Sequence, residues 1–159
     1  MSLWIAGLAV FALVGLDQLT KLLTVANISL HEQVGLIPNV LSLTYTQNDG
    51  AAFSILQGQQ WLFAIIFVLF AGLIIWEFSK RKLPFKPFER WCILFVFAGG
   101  LGNMIDRLRL NYVIDMIQTD FMNFPVFNVA DCYISCGCVA LIVSLIFFNK
   151  EFWKEGKKK

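Results

Sequence analysis

The chain has 159 residues, 58% of them hydrophobic and 15% charged, with a formal net charge of +2 and a mean hydropathy of +0.68. That balance is too apolar for a soluble domain of this length. The small positive charge calls for no nucleic-acid partner, because the basic residues are placed as topological anchors.

The first apolar stretch, Leu3 to Ile28, predicts a helix over 3–28 that is long enough to cross a bilayer core of about 30 Å. It lacks a basic start and is interrupted by Asp17, so it reads as a retained first helix rather than a secretory signal. Asp17, Thr20, Lys21 and Thr24 fall three and four apart, on one face. The connection from Ala26 to Gln60 holds no Lys or Arg. Within it Asn39 to Thr46 is rich in strand formers, and Asn48-Asp49-Gly50 is a turn signal, which predicts a small sheet outside the bundle. His31, the sole histidine, stands alone there, which argues against a histidine-based metal site, and no His-Glu-x-x-His pattern exists.

Trp61 to Phe78 predicts a second helix over 61–78, and Trp91 to Ile105 a third. The third spans a bilayer only if Asn103, Asp106 and Arg107 extend it, giving 89–107. A connection from Arg107 to Ala130 follows, carrying Asp115 together with Met116, Ile117, Phe121, Met122, Phe124, Val126 and Phe127. Such a segment is too apolar for a loop in water and is expected to lie along the membrane interface, covering the site. Cys132 to Phe148 predicts the last helix, over 131–148 with Asp131 at its start. Cys92, Cys132, Cys136 and Cys138 read as small membrane-buried hydrophobes, with metal binding or a disulfide as the alternatives. The fold expected is thus an all-α integral membrane protein, one domain over 1–159, with four transmembrane helices, a small extracytoplasmic β element and an interfacial cover.

Orientation follows from the linker Ser79 to Arg90 and the tail after Phe148, which together hold ten of the thirteen basic residues. Both termini are therefore expected in the cytoplasm, with the first and third connections outside. Trp4, Trp76, Trp91 and Trp153 fall at the inner boundary and Trp61 at the outer one. On that frame Asp17, Lys21, Asn103, Asp106, Arg107, Asp115 and Asp131 all come to the outer half, whereas the inner halves of the last three helices read as plain hydrocarbon, with Glu77 only at the edge.

Ionisable groups at membrane depth are costly and are usually kept for function. Two carboxyls brought together there share a proton, as water-activating aspartate chemistry requires. Each group also has a plainer reading. Asp17 and Lys21 suit a buried salt bridge, Asp106 beside Arg107 a structural ion pair or positioning group, and Gly99, Gly100 and Gly102 close helix contact. Asp115 suits a loop acid and Asp131 a helix N-cap. A transporter would need polar groups across the whole bilayer, and here the stripe stops about halfway. A purely structural membrane partner would make both acids dispensable.

Five motifs stand in order: Asp17-Gln18-Leu19-Thr20-Lys21, Asn48-Asp49-Gly50-Ala51-Ala52-Phe53, Gly102-Asn103-Met104-Ile105-Asp106-Arg107, Val113-Ile114-Asp115 and Phe127-Asn128-Val129-Ala130-Asp131. In this the chain resembles the lipoprotein signal peptidases, the signal peptidase II family, over essentially its whole length. The resemblance implies a bacterial inner-membrane aspartic endopeptidase that cleaves diacylglyceryl-modified prolipoproteins just before the lipidated cysteine, with no cofactor. It implies Asp115 and Asp131 as the catalytic pair and Asn48, Gly50, Asn103, Arg107 and Asn128 as substrate-binding. Asp17, Lys21, Asp106 and Ala130 would support the site. It further implies a lipid-modified prolipoprotein and membrane lipid as partners, inhibition by globomycin, and a monomer. Met116 departs from an expected phenylalanine, Asn111 stands where glycine is common, and the span from Asp115 to Asp131 is slightly short.

Overall fold

A computed structural model describes residues 2–50, 59–80 and 82–155. The Ala51-Ala52-Phe53 end of the second motif, Arg81 and the basic residues at 157–159 lie outside the described residues. Helices α1 (Leu3–Asn27), α2 (Gln60–Lys80), α3 (Pro87–Leu110) and α4 (Val129–Val143) form the bundle, α4 continuing as a π-helical turn over Ser144–Phe148. All four are long and apolar enough to cross a membrane. A short α5 (Lys150–Glu155) follows.

Local chemistry sets the ends. Ser2 caps α1 by accepting from the N–H of Ile5 at 3.3 Å, and Pro87 opens α3 with a φ already suited to a helix. Asn111 closes α3 in the left-handed region at φ 65°, a conformation that glycine or asparagine adopts cheaply, so this departure from glycine fits the backbone. These caps extend α3 beyond the expected 89–107 at both ends.

α3 is the hub of the bundle. The predicted glycine contacts form: a Cβ on Gly102 would lie 2.5 Å from Asp17 Oδ2, and one on Gly100 3.1 Å from the ring of Phe67. At Gly99 a Cβ would collide with the backbone oxygen of Ala130. Gly137 of α4 meets the backbone oxygen of Cys92 in the same way, at 2.9 Å. Backbones thus approach closely where side chains are missing, the usual means of helix contact in lipid.

At one end sits an antiparallel sheet in the order β1 (Gln33–Ile37), β2 (Leu41–Asn48), β3 (Val113–Thr119). The expectation of a lipid-lying cover over the whole third connection is corrected here, because its first half is β3. Ile114 and Met116 are buried with Ile28 and Tyr45 beneath the sheet, so their apolar character belongs to a half-buried strand. After β3, residues 120–127 lie outside the strands, exposing Phe121, Met122 and Phe124. β2 advances from Leu43 to Thr46 while β3 passes from Ile117 to Asp115, a bulge beside the acid.

The opposite end is not the plain hydrocarbon expected. Glu89 is fully buried and accepts from Ser144 Oγ at 2.9 Å, Asn149 Nδ2 at 2.7 Å and the N–H of Lys86 at 2.7 Å. Glu89 caps its own helix, and the π turn brings Ser144 and Asn149 onto it, so a hydropathy reading misses the cluster.

Gly102→Ala should force Asp17 out of position and lower stability by roughly 1–3 kcal/mol, read as a lower thermal midpoint in detergent.

Candidate active site

α1, α3, α4 and β3 converge beneath the sheet, and Lys21 is where they meet. Its ammonium, 1% exposed, lies 3.0 Å from Asp17 Oδ2, 2.9 Å from Asp106 Oδ2 and 2.9 Å from Asn103 Oδ1. The expected Asp17–Lys21 bridge is present, but Asp106 pairs with Lys21 and not with its neighbour Arg107. Successive helical residues point about 100° apart, so adjacent side chains rarely share a partner.

Each acid of this triad anchors another element. Asp17 Oδ1 accepts the N–H of Ala130 in the first turn of α4 at 3.0 Å. Asp106 Oδ2 accepts the N–H of Ile114 in β3 at 3.2 Å. Gln18, to which the sequence assigned no role, donates to Asp106 Oδ1 at 2.9 Å and to the Gly102 carbonyl at 3.2 Å. Its position in the first motif is the only sequence signal for it.

An ammonium can only donate, so Lys21 turns the oxygen of Asn103 toward itself and leaves the amide nitrogen pointing away. That nitrogen donates to Asp131 Oδ1 at 2.8 Å. Asp131 is the third residue of α4 rather than its cap: Asn128 caps, accepting from the N–H of Asp131 at 2.9 Å, while Asp131 Oδ2 accepts the N–H of Asn128 at 3.1 Å. This reciprocal box satisfies two free donors of the helix start.

Asn128 then reaches the second acid, its amide nitrogen donating to Asp115 Oδ1 at 2.6 Å and to Asn103 Oδ1 at 3.0 Å. Phe127 bridges Ile117 of β3 on both sides (2.7 and 3.0 Å), which delivers Asn128 to Asp115. Asn48 donates to Asp115 Oδ2 at 2.9 Å and accepts the N–H of Gly50 at 3.0 Å.

Both acids line one cavity of about 920 Å³, with Asn48, Asn103, Arg107, Phe124, Phe127 and Cys136 among its walls. Asn128, expected to touch substrate, is fully buried behind the acids and joins them instead. Gly50 acts through its carbonyl, which accepts from Arg107 at 2.8 Å. The guanidinium lies 4.5 Å from the centre of the Phe63 ring, a cation–π platform on α2 that nothing in the motifs announced.

Asp115 is 2% exposed, and its carboxyl is pushed up to about 7, first by burial and then by the charge of Asp131, against the opposing hydrogen bonds of Asn48 and Asn128. Asp131 is less buried and faces the cavity. One retained proton between two carboxyls suits general acid–base attack by water.

The family model described as Signal peptidase (SPase) II matches residues 9–147. Lipoprotein signal peptidases of Streptococcus pyogenes serotypes M2 and M5 are each 47% identical over 148 residues, covering 93% of this chain and 92% of theirs. Two solved bacterial membrane enzymes superpose with TM-scores of 0.84 and 0.82 at 32% and 31% identity. They cover 91% and 92% of this chain and 88% and 96% of their own.

A carboxyl raised on folding binds its proton more tightly in the native state, so its contribution to stability is full below about pH 4 and is lost as pH rises through about 7. Asp115→Asn should therefore remove a fall in unfolding stability between those limits, measured by denaturation across pH; an unchanged slope would show that Asp115 does not titrate there.

Proposed function

The chain belongs to the signal peptidase II family, membrane peptidases that cleave lipoprotein signal peptides, and from that premise we propose that Asp115 and Asp131 are its catalytic pair. The observation that carries this is their joint presence on one cavity wall, bridged by Asn128. The substrate is a prolipoprotein within the membrane; the bond cut is the one just before its diacylglyceryl-modified cysteine.

Asp131, the less buried acid, takes a proton from water as the water oxygen attacks the scissile carbonyl carbon. Asp115 holds its proton to about pH 7 and donates it to the carbonyl oxygen, giving a tetrahedral intermediate. When the C–N bond breaks, the proton on Asp131 passes to the leaving amine, and Asp115 recovers its own from the intermediate's hydroxyl. Neither metal nor covalent enzyme intermediate is needed for the balance. Asn48 donates to the Asp115 carboxyl and Asn103 to that of Asp131, and Arg107, on the cavity wall, positions the peptide backbone.

Among the described residues, Lys80, Lys82, Lys86 and Arg90 of the linker and Lys150 and Lys154 of α5 lie at the end of the bundle remote from the pair. That placement supports a multi-pass protein of the bacterial cytoplasmic membrane with both termini inside and the site toward the outer face. A monomer suffices for this chemistry, since each group used here comes from one chain.

Asp115→Asn and Asp131→Asn should each slow cleavage of a lipidated precursor by roughly 10³-fold or more while the protein stays folded in the membrane. Turnover within tenfold of the parent enzyme in either variant would refute the pair. Cleavage should fall as pH rises above about 7, where Asp115 gives up its proton. Globomycin should block the reaction; full activity of the purified protein at saturating globomycin would contradict the assigned cavity.

A further inference from the structure

A second cavity of about 770 Å³ lies along α4 on the side facing lipid. Its walls are apolar: Phe88 from α3, then Val139, Val143 and Phe148 along α4 and its π turn. Ser135 and Cys136 form its upper rim, and both also line the catalytic cavity. The two cavities therefore make one continuous track, beginning beside Asp131 and ending near Lys86 at the cytoplasmic edge. Its lower part, from Cys136 to Phe148, is roughly 18 Å long at the helical rise.

We propose that this track is the docking groove for the apolar segment of the signal peptide, resting on the assignment of Asp115 and Asp131 as the place of cleavage. A signal peptide carries about 7–15 apolar residues, which as a helix measure roughly 10–22 Å. With the scissile bond at the pair, the residues before it must leave toward the cytoplasm, and the groove continues from the catalytic cavity in that direction. The groove floor is firm, because Gly137 packs against the Cys92 backbone and Val96 behind it. Its apolar side chains are turned outward, Val139 being 62% and Phe148 66% exposed. A phospholipid of the inner leaflet is the competing occupant. It is disfavoured because the groove opens at Ser135 and Cys136 into the catalytic cavity, where a signal peptide must continue and an inner-leaflet lipid has no reason to reach.

The test uses the full-length enzyme in nanodiscs with a lipidated precursor and a second precursor whose signal peptide is cut back to a few residues before the scissile bond. Val139→Trp and Val143→Trp fill the groove from outward-facing positions, and Leu69→Trp on the outer face of α2 is the control. Both groove variants should raise KM for the full precursor roughly tenfold with kcat unchanged, leaving the short precursor and the control unaffected. A benzophenone placed in the apolar segment should label residues 139–148, and the label should be lost in Val139→Trp. Unchanged KM in both groove variants, labels on α1 or α2, or equal losses on long and short precursors would overturn the groove. So would a phospholipid retained by the parent enzyme and lost from both variants, seen by native mass spectrometry, with kinetics unaltered. Failure of the catalytic pair would show separately, as turnover surviving in Asp115→Asn.

Discussion

A single buried ammonium holds the working end of this protein together. Lys21 faces Asp17, Asp106 and the oxygen of Asn103, all within 3.0 Å. Charge at such depth persists only when it is paired and hydrogen-bonded, and removing one partner of such a group typically costs about 3–5 kcal/mol. The two acids pass the constraint on. Asp17 holds the first turn of α4, which carries Asp131, and Asp106 holds Ile114, the residue before Asp115. The relative placement of the two carboxyls therefore depends on one cation that touches neither.

From there the site is made of helix-start chemistry turned to another use. An asparagine cap with an acid three residues on is an ordinary way to satisfy free N–H groups. Here the acid is also held by Asn103, and the cap is also bonded to the second acid. Each carboxyl receives two donors from its surroundings, so its orientation is set before substrate arrives. Flexible side chains could not hold the pair as well, because each would lose rotamer freedom on binding.

The bundle divides its labour by height. At the sheet end glycines let α1, α3 and α4 close around polar groups, since a Cβ at Gly102 would meet Asp17 itself. At the other end Glu89, Ser144 and Asn149 tie α3, the linker and the π turn together, with the Lys86 ammonium on the Phe148 carbonyl beside them. Between them the α4 face presents an apolar channel to lipid. Polar ends with an apolar middle suit a peptidase whose substrate arrives sideways from the bilayer and is cut at one rim.

The sequence by itself determined the membrane class, the four spans, the five motifs and the convergence of charge at one depth, because hydropathy, charge bias and three-and-four spacing are local properties. It also placed both acids correctly on the connection and the helix start. Strands β1 and β3 escaped it: Gln33–Ile37 is short and exposed, and the apolar run at 113–117 reads the same whether lipid or a sheet covers it. The partners of Asp106, the buried position of Asn128 and the Phe63 platform under Arg107 escaped it too. Only the tertiary structure decided these, because which donor meets which acceptor depends on how close two helices come and on the register of a strand. Those are set by contacts between residues distant in the chain, from 25 positions for Asn128 with Asn103 to 113 for Asp17 with Ala130.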